Sequence, residues 1–412
     1  MQLRSVHFDS DKQKRSNYPS NAVNNCKYSW YSFVPLVLFN QFKYFFNLFF
    51  LLIALSQIIP ALRVGFLISF VAPLAFVLSV TMIKEFYDDR SRQLKDSEIN
   101  RTPYMQLNLK GGVIKKVASS SIKVGDLIIL HPNERAPADM VLLWTSDPSG
   151  SLFIRTDQLD GETDWKVRRP LTSTQTHIGA VSPQTPFSNI HKVQDFEQAV
   201  LYCDQPSKNI YDFVGLYERE DPSTKNKAVE PMTLEHTMWA STVLASQHIV
   251  LGQVVYTGRQ TRSQMNQRLP SDKMCLLDAE VNFLSKLLFI FLLSISLMIT
   301  ALNGFHGHWL MFYFRVMLLM SSIVPISVRI NLDLAKLWYS KGINNDDDIK
   351  GTIARNSNIP EELGRIQFLI TDKTGTLTQN DMICRKIFME YSQFSFKDNK
   401  QDMLELLKNS CV

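Results

Sequence analysis

The stretch Ile366-Gln-Phe-Leu-Ile-Thr-Asp-Lys-Thr-Gly-Thr-Leu-Thr378 gathers the groups that phosphate chemistry needs. The apolar run Phe368-Leu369-Ile370 predicts a buried parallel strand that stops at Thr371-Asp372. In open α/β sheets ligands bind where strands end. An aspartate delivered there can attack a phosphoryl group and form an aspartyl-phosphate. Lys373, beside it, and Mg²⁺ can neutralise charge on the transferring group. Gly375 lets backbone N–H groups turn inward, and Thr374, Thr376 and Thr378 add hydroxyls. A second cluster, Asp160-Gly161-Glu162-Thr163, follows a run predicted as a strand over Leu152–Thr156. Glycine between two acids makes a tight turn that can push a carboxylate outward. Such a glutamate could position or deprotonate an attacking water.

These groups need elements to carry them. Residues 1–30 are polar and read as a mostly flexible cytosolic tail. Phe45–Ala61 and Val64–Ile83 are two apolar runs separated only by Leu62 and Arg63. About twenty apolar residues suffice to cross a bilayer, so the runs predict a tight helical hairpin. Leu287–Asn303 and Trp309–Val328 predict a second hairpin, with Arg315 near its outer end, able to snorkel to the interface. Between the hairpins Pro103–Val167 is rich in β-branched residues with turns at Lys110-Gly111-Gly112, Val124-Gly125-Asp126 and Asn133–Asp139, which predicts a small β domain. Residues 171–235 read as an extended, proline-punctuated insertion, and strand patterns return over Ser241–Val255. Lys and Arg cluster in the tail (Arg4, Lys12, Lys14, Arg15, Lys27, Lys43), while the hairpin loops carry only Arg63. That asymmetry puts the tail, the β domain and the Asp372 motif on the cytosolic side.

The fourth run holds Ile323-Val324-Pro325-Ile326-Ser327-Val328. Pro325 removes a helix hydrogen bond and frees backbone carbonyls at mid-membrane. A desolvated cation at such a break would need anionic oxygen ligands. The four runs contain no Asp or Glu, and the first acid beyond the break is Asp333. A break lined by Ile326 and Ser327 instead suits a polar, uncharged path for a lipid head group. Gln57, in the first run, either faces that groove or makes a helix–helix hydrogen bond, and Asn331, one turn past Ser327, leaves the same choice open.

Composition bounds the rest. The 412 residues allow two or three domains, and a net charge of +5 without long single-sign runs gives no indication of nucleic-acid binding. The five scattered cysteines form no Cys-x-x-Cys pair, so no disulfide framework or zinc site is indicated.

Asp372–Thr378 resembles the phosphorylation motif of P-type ATPases, and Asp160–Thr163 resembles their dephosphorylation loop. Ion-pumping relatives usually read Thr-Gly-Glu-Ser there; the Asp-Gly-Glu-Thr spelling resembles the type IV class, the phospholipid flippases. Asp164-Trp165-Lys166, where most flippases have Asn-Leu-Lys, is similar to the Neo1-like class. Pro325-Ile-Ser-Val328 resembles the flippase Pro-Ile-Ser-Leu motif, with Val328 a mild departure.

The resemblance implies a multi-domain membrane protein: four transmembrane spans in two α-helical hairpins, a cytosolic β-rich actuator domain, and the start of an α/β, haloacid-dehalogenase-like phosphorylation domain. Its expected boundaries are a tail over 1–44, spans one and two over 45–84, the actuator over 85–280, spans three and four over 281–337, the phosphorylation domain from 338 to 385, and a start of the nucleotide region over 386–412. It implies Asp372 as phosphorylated nucleophile and Glu162 in dephosphorylation. Asp372, Lys373 and Thr374 would meet the nucleotide phosphate, with Asp372 and Thr374 on Mg²⁺. Gln57, Pro325, Ile326, Ser327 and Asn331 would line the lipid path. ATP and Mg²⁺ are the implied cofactors and phospholipid the substrate, in an endomembrane of Golgi or endosome type, with both termini cytosolic and no accessory β-subunit required. Family members continue into a nucleotide-binding domain and six further helices, so the chain is expected to be an N-terminal part, inactive alone. A non-catalytic regulatory membrane protein derived from a flippase is the alternative. A P-type cation pump is opposed by the acid-free spans.

Overall fold

The computed structural model describes residues 3–8, 18–109, 112–162, 164–179, 196, 199–220, 227–267, 275–324, 326–354, 357, 359–373, 375–379, 385–389 and 392–395. Strand β1 (Arg4–His7) is followed by α1 (Phe33–Phe42), α2 (Phe45–Ser56) and α3 (Leu67–Arg101). The β-rich region then runs through β2 (Pro103–Asn108), β3 (Val113–Ala118), β4 (Leu127–Leu130), β5 (Asp139–Thr145), β6 (Leu152–Arg155), α4 (Asp157–Asp160), β7 (Trp165–Arg168) and α5 (Thr172–Ile178). It continues with β8 (Val200–Cys203), β9 (Gly215–Glu220), β10 (Lys227–Met232), β11 (Thr237–Met238), β12 (Val243–Leu244), β13 (Val250–Tyr256) and α6 (Arg262–Asn266). Two apolar helices follow, α7 (Leu276–Leu302) and α8 (Trp309–Leu319), then α9 (Ile326–Asn344) and a terminal hairpin of β14 (Lys386–Met389) and β15 (Ser392–Ser395).

The β-rich region is built on a six-stranded sheet, ordered β11-β5-β13-β4-β2-β3, flanked by a three-stranded sheet β12-β6-β7. Its central strands are buried on both faces, which explains their continuous apolar spelling. Leu127, Ile129, Val141 and Leu143 enter one core. Ile128, Leu130, Met140 and Leu142 enter the other. The turn expected at Val124-Gly125-Asp126 is present, with Gly125 at φ 93, and Leu127–Leu130 is the strand expected after it. The insertion over 171–235 is more than an extended excursion: it contributes α5 and three strands of a sheet ordered β1-β8-β9-β10. Arg262 ties this insertion to the core. Its side chain is fully buried, lies 3.7 Å over the Trp239 ring, and donates to the Asn209 and Asp212 carbonyls.

The tail departs from expectation. Its described residues are ordered, because backbone and side-chain partners elsewhere in the chain take up its polar groups. Arg4–His7 pairs antiparallel with Val200–Cys203. Asn21 donates to the carbonyls of Ser119 and Pro137 and accepts from the Gly258 N–H. Residues 23–27 then run along the C-terminal half of α3: Val23 exchanges hydrogen bonds with Asn100, the Asn25 backbone and amide donate to Asp96, and the Lys27 N–H donates to Asp89. Asp89, Asp96 and Asn100 share one helical face, so α3 serves as the edge that this strap lacks. Helix α1 also lies inside the span of the expected tail.

Two helices, α3 and α7, are each long and apolar enough to cross a membrane. The first expected span is instead half of a bent pair, α1 and α2 meeting at 99°. Helix α2 ends at Ser56, and a 3₁₀ turn begins with Pro60, which cannot donate into a continuing helix. Helix α3, at 35 residues, is about 50 Å long and so extends well past any bilayer core. The fourth run is interrupted: α8 passes into a 3₁₀ turn over Met320–Ile323, Val324 is extended at ψ 106, and α9 begins at Ile326. Phe46, Phe49, Ile53, Leu292, Leu318 and Val324 form the core between these helices. Arg315, expected to snorkel to the interface, donates to the carbonyl of Ala61, the residue before Leu62-Arg63 of the first hairpin.

The run Phe368–Ile370 is a second correction. It is not a buried strand: its side chains are 80% exposed or more. An extended apolar segment becomes a strand only by pairing, and among the described residues no strand lies alongside it.

Candidate active site

The Asp160–Glu162 turn is set by its glycine. Gly161 ends the short helix α4 at φ 77, a left-handed conformation that costs an L side chain about 1–2 kcal/mol. The reversal lets the Glu162 N–H donate to Asp160 Oδ1 at 3.0 Å, while Thr156 Oγ1 donates to Asp160 Oδ2 at 2.9 Å. Lys166, on β7, reaches back over the turn. Its Nζ bonds Asp160 Oδ2 and lies 2.7 Å from Glu162 Oε2. The Asp160 side chain is 4% exposed and that of Glu162 54%, so the ion pair is buried at one end and open at the other. Burial pushes the Asp160 carboxyl up, but hydrogen bonds from Lys166, the Glu162 N–H and Thr156 outweigh it and hold the group below the usual carboxylate range. Burial likewise lowers the Lys166 ammonium, and its bonds to Asp160 and Glu162 raise it above the ordinary lysine value.

The Asp372 loop is positioned from the other side. The 3₁₀ turn Pro360–Arg365 is pinned to the start of α7. The Leu276 N–H donates to Glu362 Oε1 at 2.6 Å, and Arg365 forks onto both Glu280 oxygens at 3.0 and 3.1 Å. Beyond the exposed 366–371 segment, the Lys373 N–H donates to Asp372 Oδ1 at 2.8 Å. The N–H groups of Leu377 and Thr378 and the Thr378 hydroxyl close a loop on the Lys373 carbonyl. Gly375, at φ 73, makes the reversal.

The two loops meet. A Cβ built on Gly161 would lie 3.8 Å from Asp372 Oδ2. The fold thus brings together the Asp160–Glu162 turn and Asp372, whose motifs stand far apart in the chain. Asp372 is solvent-exposed and presents a hard carboxylate. Mg²⁺ is usually held by one or two carboxylates, waters and substrate phosphates, and the donors here fit that pattern. Thr374 lies outside the described residues.

The expected lipid-path residues are only partly described. Pro325 and the side chains of Ile326 and Ser327 lie outside the described set. Gln57 is buried, and its Oε1 accepts from the Val64 N–H at 3.0 Å, so its amide closes the first hairpin. Asn331 is exposed on α9. Lys166 was not singled out by its chemistry in the sequence; the signal was a lysine four residues after Glu162, readable only once the turn between them is known.

Comparison with known proteins agrees with the motif spelling. The family model described as phospholipid-translocating ATPase N-terminal matches residues 6–69. The human protein named probable phospholipid-transporting ATPase IIB is 44% identical over 389 residues, covering 94% of this chain and 32% of the relative. The Caenorhabditis elegans protein named probable phospholipid-transporting ATPase tat-5 is 48% identical over 378 residues, 92% of this chain and 34% of the relative. The Saccharomyces cerevisiae phospholipid-transporting ATPase NEO1 is 44% identical over 388 residues, 94% of this chain and 32% of the relative. The chain spans about a third of the length of the curated relatives it matches.

Proposed function

The chain belongs to the type IV P-type ATPases, in their Neo1-like class, and matches their N-terminal region; from that premise we propose that it supplies the nucleophile and the dephosphorylation loop of an ATP-driven phospholipid translocase. The observation that carries the proposal is the apposition of Gly161 and Asp372 Oδ2.

In the first half-reaction an Asp372 oxygen attacks the γ-phosphorus of ATP. The bond to the ADP oxygen breaks, and ADP leaves. In the second, water attacks the phosphorus, its proton passes to the Glu162 carboxylate, the bond to Asp372 breaks, and phosphate leaves with Asp372 restored. Lys373, next to Asp372 in the chain, would offset charge on the transferring group. Asp372 and Thr374 are the residues that would hold Mg²⁺, which would neutralise charge on the transferring group.

Lipid movement is assigned to four spans: the bent α1–α2 pair, α3, α7, and the interrupted α8–α9 run. The interruption at Val324 supports the assignment, because an unwound turn leaves carbonyls free for a polar, uncharged head group. Pro325, Ile326 and Ser327 would line that path. Asn331 would continue it on α9, and Gln57 would contribute from the first hairpin, where its amide already bonds Val64. Phospholipid is the proposed substrate. The placement of Lys and Arg supports cytosolic termini. An endomembrane location and independence from an accessory subunit follow the class.

The test uses a full-length chimera, this chain followed by the C-terminal two thirds of the yeast relative. Asp372→Asn should abolish acid-stable label from γ-labelled ATP, since an amide cannot form the acyl phosphate. Label at the parent level in that variant overturns the assignment.

A further inference from the structure

We infer that Lys166 is a positioning residue for dephosphorylation, holding the Glu162 carboxylate from a buried anchor and screening its approach to phosphorylated Asp372. The inference rests on the reading that Glu162 handles the attacking water.

The argument begins with charge. Phosphorylated Asp372 carries an anionic phosphoryl group, and the loop that must meet it brings Asp160 and Glu162 at its turn. Like charges in a partly desolvated gap repel more strongly than in water. Lys166 is bonded to both carboxylates, with Nζ 2.7 Å from Glu162 Oε2. One cation shared between two acids reduces the net charge that faces Asp372.

Geometry adds a second role. Glu162 is more than half exposed and by itself would sample several rotamers, an entropy lost when it orders. The anchor is at the other end: Asp160 is buried and held by Thr156 Oγ1 and the Glu162 N–H. Lys166 carries that fixed point to the exposed carboxylate. The charged and titratable groups around it are Asp160 and Glu162 on the loop, Arg168 two residues along β7, and Tyr211 of the insertion, whose ring centre is 5.8 Å from Nζ. Asp372 faces them across the gap, beside Gly161. The ion-pair partners of Lys166 Nζ are Asp160 and Glu162, so it acts through Glu162.

The experiment follows phosphoenzyme decay after a chase in the full-length chimera, with Glu162→Gln, Lys166→Gln, Lys166→Arg and Asp160→Asn compared. Asp160→Asn removes the charge that anchors the buried end of Lys166 and keeps a side-chain oxygen to accept from the Glu162 N–H. The label formed before the chase reports that each variant folds and is phosphorylated. Lys166→Gln should form label normally and lose it about tenfold more slowly, with Lys166→Arg within about threefold of the parent and Asp160→Asn slowed. Decay at the parent rate, or faster, in Lys166→Gln and Asp160→Asn, while Glu162→Gln is slow, overturns the role of Lys166 and leaves Glu162 in place. Equal loss of formation and decay, not rescued by Lys166→Arg, assigns Lys166 to folding alone and also overturns it. A parent rate in Glu162→Gln removes the underlying reading instead.

Discussion

Gly161 stands against Asp372, with 3.8 Å between the place where its Cβ would be and Asp372 Oδ2. The turn thereby brings backbone, not a side chain, against the carboxylate. The apposition joins a β-rich domain placed between membrane helices to a loop that follows them.

Gly161→Ala tests that turn. The added methyl would sit at ordinary contact distance from Asp372, so the cost comes from backbone strain at φ 77, about 1–2 kcal/mol. The loop should relax away from this conformation. Label formation in the full-length chimera should be unaltered and decay should slow about tenfold. Unchanged decay would mean that the turn tolerates displacement and that its contact with Asp372 is incidental.

Asp96→Ala tests the strap. Asp96 accepts from the Asn25 backbone at 2.7 Å and from its side-chain amide at 2.9 Å. Hydrogen bonds to a charged acceptor contribute about 1.5–3 kcal/mol each, less where solvent competes. Hydrogen exchange at residues 23–27 should rise at least tenfold, with β1 and the six-stranded sheet unchanged. Protection at the parent level would show that Asn100 and Asp89 hold the strap without Asp96.

What the sequence made legible was local. Asp372 and Glu162 are spelled by contiguous residues whose turn glycines, Gly375 and Gly161, are read without knowing the fold. The apolar run of β4 likewise shows a strand buried on both faces. The strand at Arg4–His7 was hidden, because its partner at Val200–Cys203 is remote in the chain and nothing in four residues announces the pairing. The same holds for Lys166, whose meaning depends on a turn that folds it over Glu162, and for Asn25, whose partner Asp96 lies on another element. Phe368–Ile370 failed in the opposite sense: its composition is that of a strand, but composition supplies no neighbour.

Asp139 gives a pH dependence of unusual sign. Burial pushes its carboxyl up to about 6, against hydrogen bonds from the Ala240 and Arg262 N–H groups and the Arg262 charge. Its ordinary value is 3.8. Between these values the folded state binds the extra proton, so the stability this group contributes is fully present below about pH 4 and is lost as pH rises through 6. Unfolding free energies of the chain and of Asp139→Asn, followed by tryptophan fluorescence, should diverge over that range. The parent should lose on the order of 1–3 kcal/mol relative to the variant by pH 7. A parent that instead gains stability relative to the variant would show that the Arg262 charge outweighs burial.

The last prediction concerns a buried ion pair between α9 and α7. Lys336 Nζ on α9 lies 2.8 Å from Asp278 Oδ2 on α7, and the two side chains are 1% and 7% exposed. Lys84 on α3 and Asp333 on α9 are buried as well. The pair ties α9, the helix between the Val324 interruption and the Asp372 loop, to the helix whose start holds Glu362 and Arg365. Removing one partner leaves the other charged and desolvated, a loss of about 3–5 kcal/mol, whereas replacing both with apolar groups of similar volume is often neutral or stabilising. Lys336→Met should therefore lower the melting temperature of the detergent-solubilised chain sharply, and so should Asp278→Leu. The double variant should recover most of the loss, because neither charge is then stranded. Additive losses in the cycle would mean that Lys84 and Asp333 already satisfy each member, and that the pair does not hold α9 to α7.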